Sequence, residues 1–264
     1  MTALTLFADT WASIHLDVVA GVGLFAGAWA GAWIARRAKP TAREIAAVTV
    51  ALLILLGTLN GPLHELSDRY LFSAHMIQHL LLTLAVPPLL LVATPGWMVD
   101  ALFRGRRLQS VARACTRAVP ALLVYTVVLV GWHLPAPYAV ALEVHPWHVA
   151  QHLSLMASAV AAWWPILGRS AVAPPLPYAA QILYLFAFGV PMTAVAAMIT
   201  GAEQVLYPFY ESAPRIFGLA PMTDQQLGGV LMWVPAGTVP LVAMTIVFFR
   251  WAVEEREVDE PLRP

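Results

Sequence analysis

Apolar segments of about membrane length follow one another along nearly the whole chain, and they limit the fold more than any other feature. A bilayer core requires about 20 apolar residues per helix, and backbone groups in lipid must bond within their own segment, which favours helices. Runs such as Val48 to Leu56 do not alternate as a transmembrane strand would. Only 11% of the residues are charged, against about 25% in soluble domains. The sequence therefore predicts an all-α polytopic membrane protein.

Seven segments fit this description. The predicted spans lie near residues 14–35, 43–61, 71–93, 119–135, 147–167, 178–200 and 226–250. Because the apolar runs are nearly continuous, we expect residues 1–253 to form a single domain, a bundle of about seven transmembrane helices. Residues 254–264 are polar, and we expect them to form a frayed cytoplasmic tail.

The distribution of basic residues indicates the orientation of the bundle. Of the 15 lysine and arginine residues, all but Arg69 and Arg215 lie in segments that the predicted spans place on one side. Cytoplasmic loops are enriched in lysine and arginine, so the N-terminus is expected outside and the C-terminus in the cytoplasm. The Arg-rich segment from Gly96 to Ala118 is expected to lie along the cytoplasmic interface.

Charge and cysteine content exclude several kinds of protein. The formal net charge is zero, which argues against a nucleic-acid partner. The single cysteine, Cys115, excludes a disulfide within the chain and a CxxC metal or redox motif.

All histidines of the chain lie on the predicted outer side. They are His15, His64, His75, His79, His133, His145, His148 and His152. Four of them form two HxxQH pairs, His75 with His79 and His148 with His152. Residues four apart share one face of a helix, so each pair is able to chelate one metal ion. Ionisable groups at membrane depth usually face the bundle interior and mark function. The pairs therefore predict a metal or haem site.

The residues around the pairs favour copper. A zinc-protease motif needs Glu after the first His, and Met76 and Val149 stand there instead. Imidazole suits copper, zinc, iron and nickel, and thioether sulfur adds a preference for Cu(I). Methionines in the outer half of the predicted bundle, such as Met192, therefore favour copper over zinc. Haem fits less well, because two histidines one turn apart on one helix cannot both be axial ligands of one haem.

The candidate site is assigned residue by residue. The expected core ligands are His75, His79, His148 and His152, with His64 and His133 completing or gating the site. Possible additional ligands are His145, Asp224, Met192 and Met76, and Gln78 and Gln151 are expected to orient the ligands. Asp224 fits a cap of the last helix better than a ligand. His15 fits an interfacial boundary residue.

Glycine and proline positions bear on helix packing. Gly23, Gly27 and Gly31 lie four residues apart in the first span, a spacing that allows two helices to approach closely, either inside the monomer or across a homodimer. Pro87 and Pro88 in the third span, and Pro191 in the sixth, are expected to kink or end their helices. Such a kink requires neighbours that satisfy the freed carbonyl groups.

Five stretches of the chain together resemble a known family. They are HMIQHLLL followed by VPPLLL from His75, WHLPAPYAVAL from Trp132, HPWHVAQH from His145, WWP from Trp163, and DQQLGGVLMW from Asp224. Their order and spacing resemble the CtaG-like family of bacterial membrane proteins required for assembly of cytochrome c oxidase. The resemblance implies a seven-helix protein of the bacterial inner (plasma) membrane that helps to mature a copper-containing oxidase. By residue it supports His64, His75, His79, His133, His148, His152 and Asp224.

The hypothesis from the sequence is a non-enzymatic one. The protein is expected to act as an assembly chaperone that binds or delivers copper at the periplasmic, outer face of the membrane. Its expected partners are cytochrome c oxidase subunits or another copper carrier, together with membrane lipid. Two alternatives stay open, a haem-binding membrane redox protein and an ion or metal transporter whose histidines relay ions.

Overall fold

The structure is a computed structural model, and it describes residues 14–103 and 105–259. The regular secondary structure of these residues is helical, which confirms the all-α prediction. The predicted domain and tail also include residues 1–13, 104 and 260–264, which lie outside the described residues.

The helices follow one another with short connections. They are α1 (Leu16–Ala35), α2 (Ala42–Leu59), α3 (Gly61–Arg69), α4 (Phe72–Leu80), a π-helical turn (Leu81–Ala85), α5 (Val86–Ala93), α6 (Gly96–Leu102), α7 (Arg106–Thr116), α8 (Ala118–His133), α9 (Pro135–Glu143), α10 (His145–Leu167), α11 (Tyr178–Thr200), α12 (Phe209–Ser212) and α13 (Pro221–Asp259). The segment formed by α4, the π turn and α5 lies centrally and packs against α2, α10 and α13.

Several of these helices are suited to cross a membrane, so the chain is a multi-pass membrane protein. Five described segments are long and apolar enough: α1, α2, the segment Phe72–Ala93, α11 and α13. A sixth results if α7 and α8, which meet at 69°, are taken as one bent span. Helix α10 has 23 residues, about 34 Å at the usual rise, but its histidines make it less apolar than the others. The count of seven and the orientation therefore stay predictions.

The predicted cytoplasmic segments meet at one end of the bundle. Arg169, in the loop after α10, forms an ion pair with Glu44 at the start of α2, with 3.0 Å between the charged groups. At the same end Arg250 of α13 lies over the ring of Tyr178 at the start of α11. The histidine-bearing ends of α4, α8 and α10 lie at the opposite end of the bundle. Helices α4 and α10 begin near their histidines and run towards the basic end, and α8 begins at the basic end and ends at His133.

A π-helical turn, Leu81–Ala85, comes just before Pro87 and Pro88. A proline lacks the N–H that would bond the carbonyl four residues earlier, which for Pro87 is that of Thr83. The indole of Trp163 on α10 donates to this Thr83 carbonyl at 3.0 Å, and the Thr83 hydroxyl donates to the His79 carbonyl at 2.7 Å. The carbonyl that Pro87 leaves free is thus satisfied, and Trp163 ties α10 to the π turn that follows α4.

Pro191 does not end its helix. Helix α11 runs through this residue from Tyr178 to Thr200, so a kink at Pro191 stays a prediction. Helix α13 continues past residue 253 to Asp259, so the first residues of the predicted polar tail are helical, and the tail itself stays a prediction.

Asp224 caps a different helix from the one predicted. It lies in the first turn of α13, but its carboxylate accepts hydrogen bonds from the backbone N–H groups of Phe72 at 2.7 Å and Ser73 at 3.2 Å. The Ser73 hydroxyl donates to the same carboxylate. A carboxylate here meets free N–H groups and the positive end of the helix dipole. Asp224 therefore fixes the start of α4, the helix that carries His75 and His79.

Gly228 brings α13 and α4 into close contact. A Cβ atom at this position would lie 2.5 Å from the ring of Phe72 and 3.2 Å from the Met76 side chain. Both side chains are fully buried in the main hydrophobic core. The motif that begins at Asp224 therefore both caps α4 and allows it to pack against α13.

The glycines of α1 are not used for packing among the described residues. A Cβ atom at Gly23, Gly27 or Gly31 would meet no atom within 4 Å, and Trp33 is the one buried residue of α1. The described residues therefore do not pack closely against these glycines within the monomer. A homodimer through them stays a prediction.

Substitution of Gly228 by alanine tests the contact between α4 and α13. We expect G228A to lower the stability of the fold by about 1–3 kcal/mol, because the added methyl group overpacks the core against Phe72. Thermal unfolding in detergent measures the effect. The matched control is Gly237→Ala on the same helix, where a Cβ atom would meet nothing within 4 Å and a helical Gly to Ala change is expected to stabilise slightly. Equal unfolding temperatures for the two variants would contradict the packing role.

Candidate metal centre

Six imidazoles from four helices converge at one end of the bundle. They belong to His64 of α3, His75 and His79 of α4, His133 of α8, and His148 and His152 of α10, and all six residues are buried. Neighbouring ring centroids lie 5.5 Å apart for His75 and His148, 4.3 Å for His148 and His152, and 5.3 Å for His79 and His133. Side chains that are far apart in the sequence thus share one pocket.

Three of these side chains have the spacing of a metal site. His75, His148 and His152 each offer one ring nitrogen, and the three nitrogens lie within 4.8 Å of one another. Three nitrogens bound in one plane to an ion at about 2.0–2.1 Å are about 3.6 Å apart. Side-chain rotations that shorten the separations by about 1 Å would therefore bring all three to one ion.

Asp68 orients His148 and leaves its other nitrogen free. Asp68 Oδ2 lies 3.3 Å from His148 Nδ1 and 3.4 Å from His64 Nε2. A carboxylate oxygen only accepts, so His148 carries its proton on Nδ1. Its Nε2 is buried and has no hydrogen-bond partner in the described part of the chain. A carboxylate that holds the far nitrogen of a histidine is the usual support of a metal-binding imidazole.

The charge state of Asp68 agrees with this role. Burial, the largest influence, acts to raise the pKa of this carboxyl group. The hydrogen bond from His148 and the nearby imidazoles of His64 and His75 outweigh burial and hold the pKa well below its usual range. Asp68 is therefore an anion at neutral pH, and the two imidazoles that face it are attracted to its charge.

His64 supports the site and does not offer a free nitrogen. The amide nitrogen of Gln78 donates to the Thr58 carbonyl at 2.8 Å and contacts His64 Nδ1 at 3.2 Å. His64 Nδ1 is then the acceptor, and the proton on its Nε2 faces Asp68. Both ring nitrogens are thus engaged in hydrogen-bond contacts, and the role predicted for His64 in completing or gating the site stays a prediction. Gln78 lies where it orients His64.

Tyr210 determines which nitrogen of His75 is free. Its hydroxyl donates to the Ser67 carbonyl at 2.8 Å, and a hydroxyl has a single proton to donate. The contact of 3.3 Å between Tyr210 and His75 Nδ1 therefore requires the proton to be on His75 Nδ1. The hydroxyl of Tyr138 lies 3.1 Å from that of Tyr210 and donates to it for the same reason. His75 is left with the lone pair on Nε2.

The other predicted candidates are not among the three histidines with metal-site spacing. His145 is exposed at the start of α10. Met76 and Met192 are buried in the main hydrophobic core. Gln151 is fully buried, but neither of its amide atoms has a hydrogen-bond partner among the described residues. The Asp224 carboxylate is occupied with the start of α4, and the ligand or orienting roles of the other four stay predictions.

Three residues near the site were missed by the sequence reasoning. Asp68 follows His64 by four residues and so shares its helix face, a signal that could have been used. Tyr210 gave no signal, because it reaches the site from the long connection before α13. His15 was interpreted as a boundary residue, yet its ring lies edge-on to that of His64, with 4.4 Å between the centroids.

Comparisons with known proteins agree with the resemblance noted in the sequence. A family model described as cytochrome c oxidase caa3 assembly factor matches residues 26–254, and this confirms the predicted family. An uncharacterized protein of Mycobacterium leprae is 23% identical over 259 residues, which cover 91% of this chain and 38% of the relative. The chain thus spans less than half the length of that curated relative. No solved structure matches the chain.

Replacement of Asp68 by asparagine tests its role as the support of His148. We expect D68N to weaken Cu(I) binding by about tenfold or more, because an amide has no charge and its N–H groups compete with the two imidazoles. Competition with a chromogenic Cu(I) chelator measures the affinity. The control is Glu65→Gln on the same helix, where the carboxylate pairs with Arg69 at 3.1 Å. If both variants bind copper as tightly as the unchanged protein, Asp68 has no such role.

Proposed function

Because this chain belongs to the cytochrome c oxidase caa3 assembly factor family, we propose that it holds or passes a copper ion while the oxidase is assembled. The site would open on the outer, periplasmic face of a bacterial plasma membrane. The protein would be non-catalytic, as befits an assembly factor, and its partners would be oxidase subunits or another copper carrier.

One observation carries this proposal. His75, His148 and His152 present ring nitrogens within 4.8 Å of one another, and two nitrogens of these rings, His148 Nε2 and His152 Nε2, are buried without a hydrogen-bond partner in the described residues. A buried polar atom without a partner costs about 1–3 kcal/mol. A fold that keeps such atoms together is suited to an ion that binds them.

The donor set favours copper as the cargo. All the free donors are neutral imidazole nitrogens, which suit copper, zinc, iron and nickel. Zinc sites in proteins that only hold the ion are usually closed by four ligands, often thiolates, and the one cysteine, Cys115, lies exposed on α7. An oxidase that contains copper needs a protein that carries this metal, so the family favours copper within the set.

The way into the site passes Asp68. Its side chain is 25% exposed, against 7% for His148 and 11% for His64. An anion at the opening attracts a cation, and the free imidazole nitrogens behind it would bind the ion. A partner that delivers or receives the ion would therefore dock over α3 and the start of α10.

A double substitution tests the function. We expect His79→Ala with His152→Ala to lower the bound copper by about tenfold or more, and to lower cytochrome c oxidase activity in cells that have no other copy of the gene. The exposed His145→Ala is the matched control and should change neither. Unchanged copper and unchanged oxidase activity in the double variant would remove the proposal.

The same preparations discriminate the two alternatives. A Soret band in the absorbance spectrum of the purified protein would favour the haem protein over the copper carrier. Uptake of copper by proteoliposomes that contain the protein would favour a transporter.

A further inference from the structure

Two more imidazole nitrogens lie beyond the three-histidine site. They are His79 Nδ1 and His133 Nε2, which are buried and have no hydrogen-bond partner in the described part of the chain. The two rings are neighbours, with 5.3 Å between their centroids and an interplanar angle of 77°. His79 is 2% exposed and His133 is fully buried, so this pair lies farther from solvent than Asp68.

Both nitrogens carry lone pairs, as the hydrogen bonds of the two rings show. His133 Nδ1 lies 2.7 Å from the Leu129 carbonyl, which only accepts, so Nδ1 holds the proton and Nε2 the lone pair. His75 Nε2 has the lone pair because Tyr210 faces the protonated Nδ1. The contact of 2.9 Å between His75 Nε2 and His79 Nε2 is then a hydrogen bond donated by His79. Its Nδ1 is left with the lone pair.

Two lone pairs cannot bond each other, but both can bind a cation. We propose that His79 Nδ1 and His133 Nε2 form a second, inner copper position, to which the ion moves from the outer position formed by His75, His148 and His152. This inference rests on the proposed function and deepens it. Cu(I) is stable with two nearly linear nitrogen ligands, so a pair of imidazoles suffices, whereas Zn²⁺ requires about four ligands.

The two positions exclude each other, because they share the contact between His75 and His79. When the ion is at the inner position, His79 Nε2 keeps its proton and donates to His75 Nε2 at 2.9 Å. That bond occupies the lone pair which the outer position needs from His75. When the ion is at the outer position, it takes the lone pair of His75 Nε2, so the hydrogen bond from His79 Nε2 is broken. Nothing then holds the proton of His79 on Nε2, and its Nδ1 is no longer kept free for a metal. One ion therefore alternates between the positions, and the protein hands it from the exposed side to the interior or back.

Copper loading of variants tests the inner position. The proteins are the unchanged chain, His148→Ala with His152→Ala, His133→Ala, the combination of all three, and His145→Ala as control, each loaded with excess Cu(I) and freed of unbound metal. The double variant leaves only His75 at the outer position, so no pair of outer imidazoles is left to hold an ion. We expect about one Cu(I) per chain in all except the triple combination, which should bind none. X-ray absorption should show about three nitrogen ligands for the unchanged protein and His133→Ala, and about two for the double variant.

The outcomes separate this inference from the proposed function. Loss of all copper in the variant with His148→Ala and His152→Ala would mean that there is a single position, which overturns the inner site and leaves the proposed function intact. Two ions per chain in the unchanged protein would overturn the exclusion between the positions. Absence of copper from the unchanged protein would overturn both proposals.

Identification of the coordinating atom tests the inner position by a second readout. The unpartnered nitrogens of His133, His148 and His152 are Nε2 atoms, whereas that of His79 is Nδ1, and the lone pair of His75 is on Nε2. Cu(I) is diamagnetic, so ¹⁵N spectra of histidine-labelled protein report which ring nitrogen binds. We expect one histidine bound through Nδ1 in the variant with His148→Ala and His152→Ala, and loss of that signal when His79→Gln is added. Binding through Nε2 alone would overturn the inner position.

Discussion

The Asp68 carboxylate faces two imidazoles inside an otherwise apolar bundle, and this arrangement decides which nitrogens of the site are free. Because a carboxylate only accepts, the protons of His148 and His64 must point towards it. The amide of Gln78 contacts the other nitrogen of His64, Nδ1. The other nitrogen of His148, Nε2, has no hydrogen-bond partner in the described residues. The same carboxylate therefore leaves His148 with a free nitrogen that can bind a metal, whereas both nitrogens of His64 are engaged.

The helices that carry these side chains are fixed by polar contacts at the start and in the middle of the segment that crosses the core. The Asp224 carboxylate of α13 accepts hydrogen bonds from the first N–H groups of α4, and the Trp163 indole of α10 donates to the carbonyl that Pro87 leaves free. Sites with a defined geometry need such support, because a displacement of about 1 Å is enough to spoil a coordination shell. The prolines and glycines of this chain serve this purpose in the described core.

The proposed handling of copper depends on the same property, namely which ring nitrogen of each histidine carries the proton. An imidazole must be neutral and turned the right way to bind a metal, and the bonds to Asp68, Tyr210 and Leu129 set that direction before any ion arrives. Pre-set ligands without thiolates suit a site that releases its ion to a partner, since soft thiolates bind Cu(I) more strongly. An assembly factor needs to let go of its cargo as well as to hold it.

The sequence by itself determined the helical class, the approximate limits of the apolar segments, the family, and the pairing of histidines within each HxxQH turn. These depend on composition and on the 3.6-residue period, which are local. Only the tertiary structure decided which faces meet. It placed Asp68 against His148, eighty positions later in the chain, brought Tyr210 to His75, gave Asp224 to a helix other than its own, and left His145 exposed. The physical reason is that periodicity fixes the direction of a side chain about its own helix axis, whereas its partners depend on how separate helices pack.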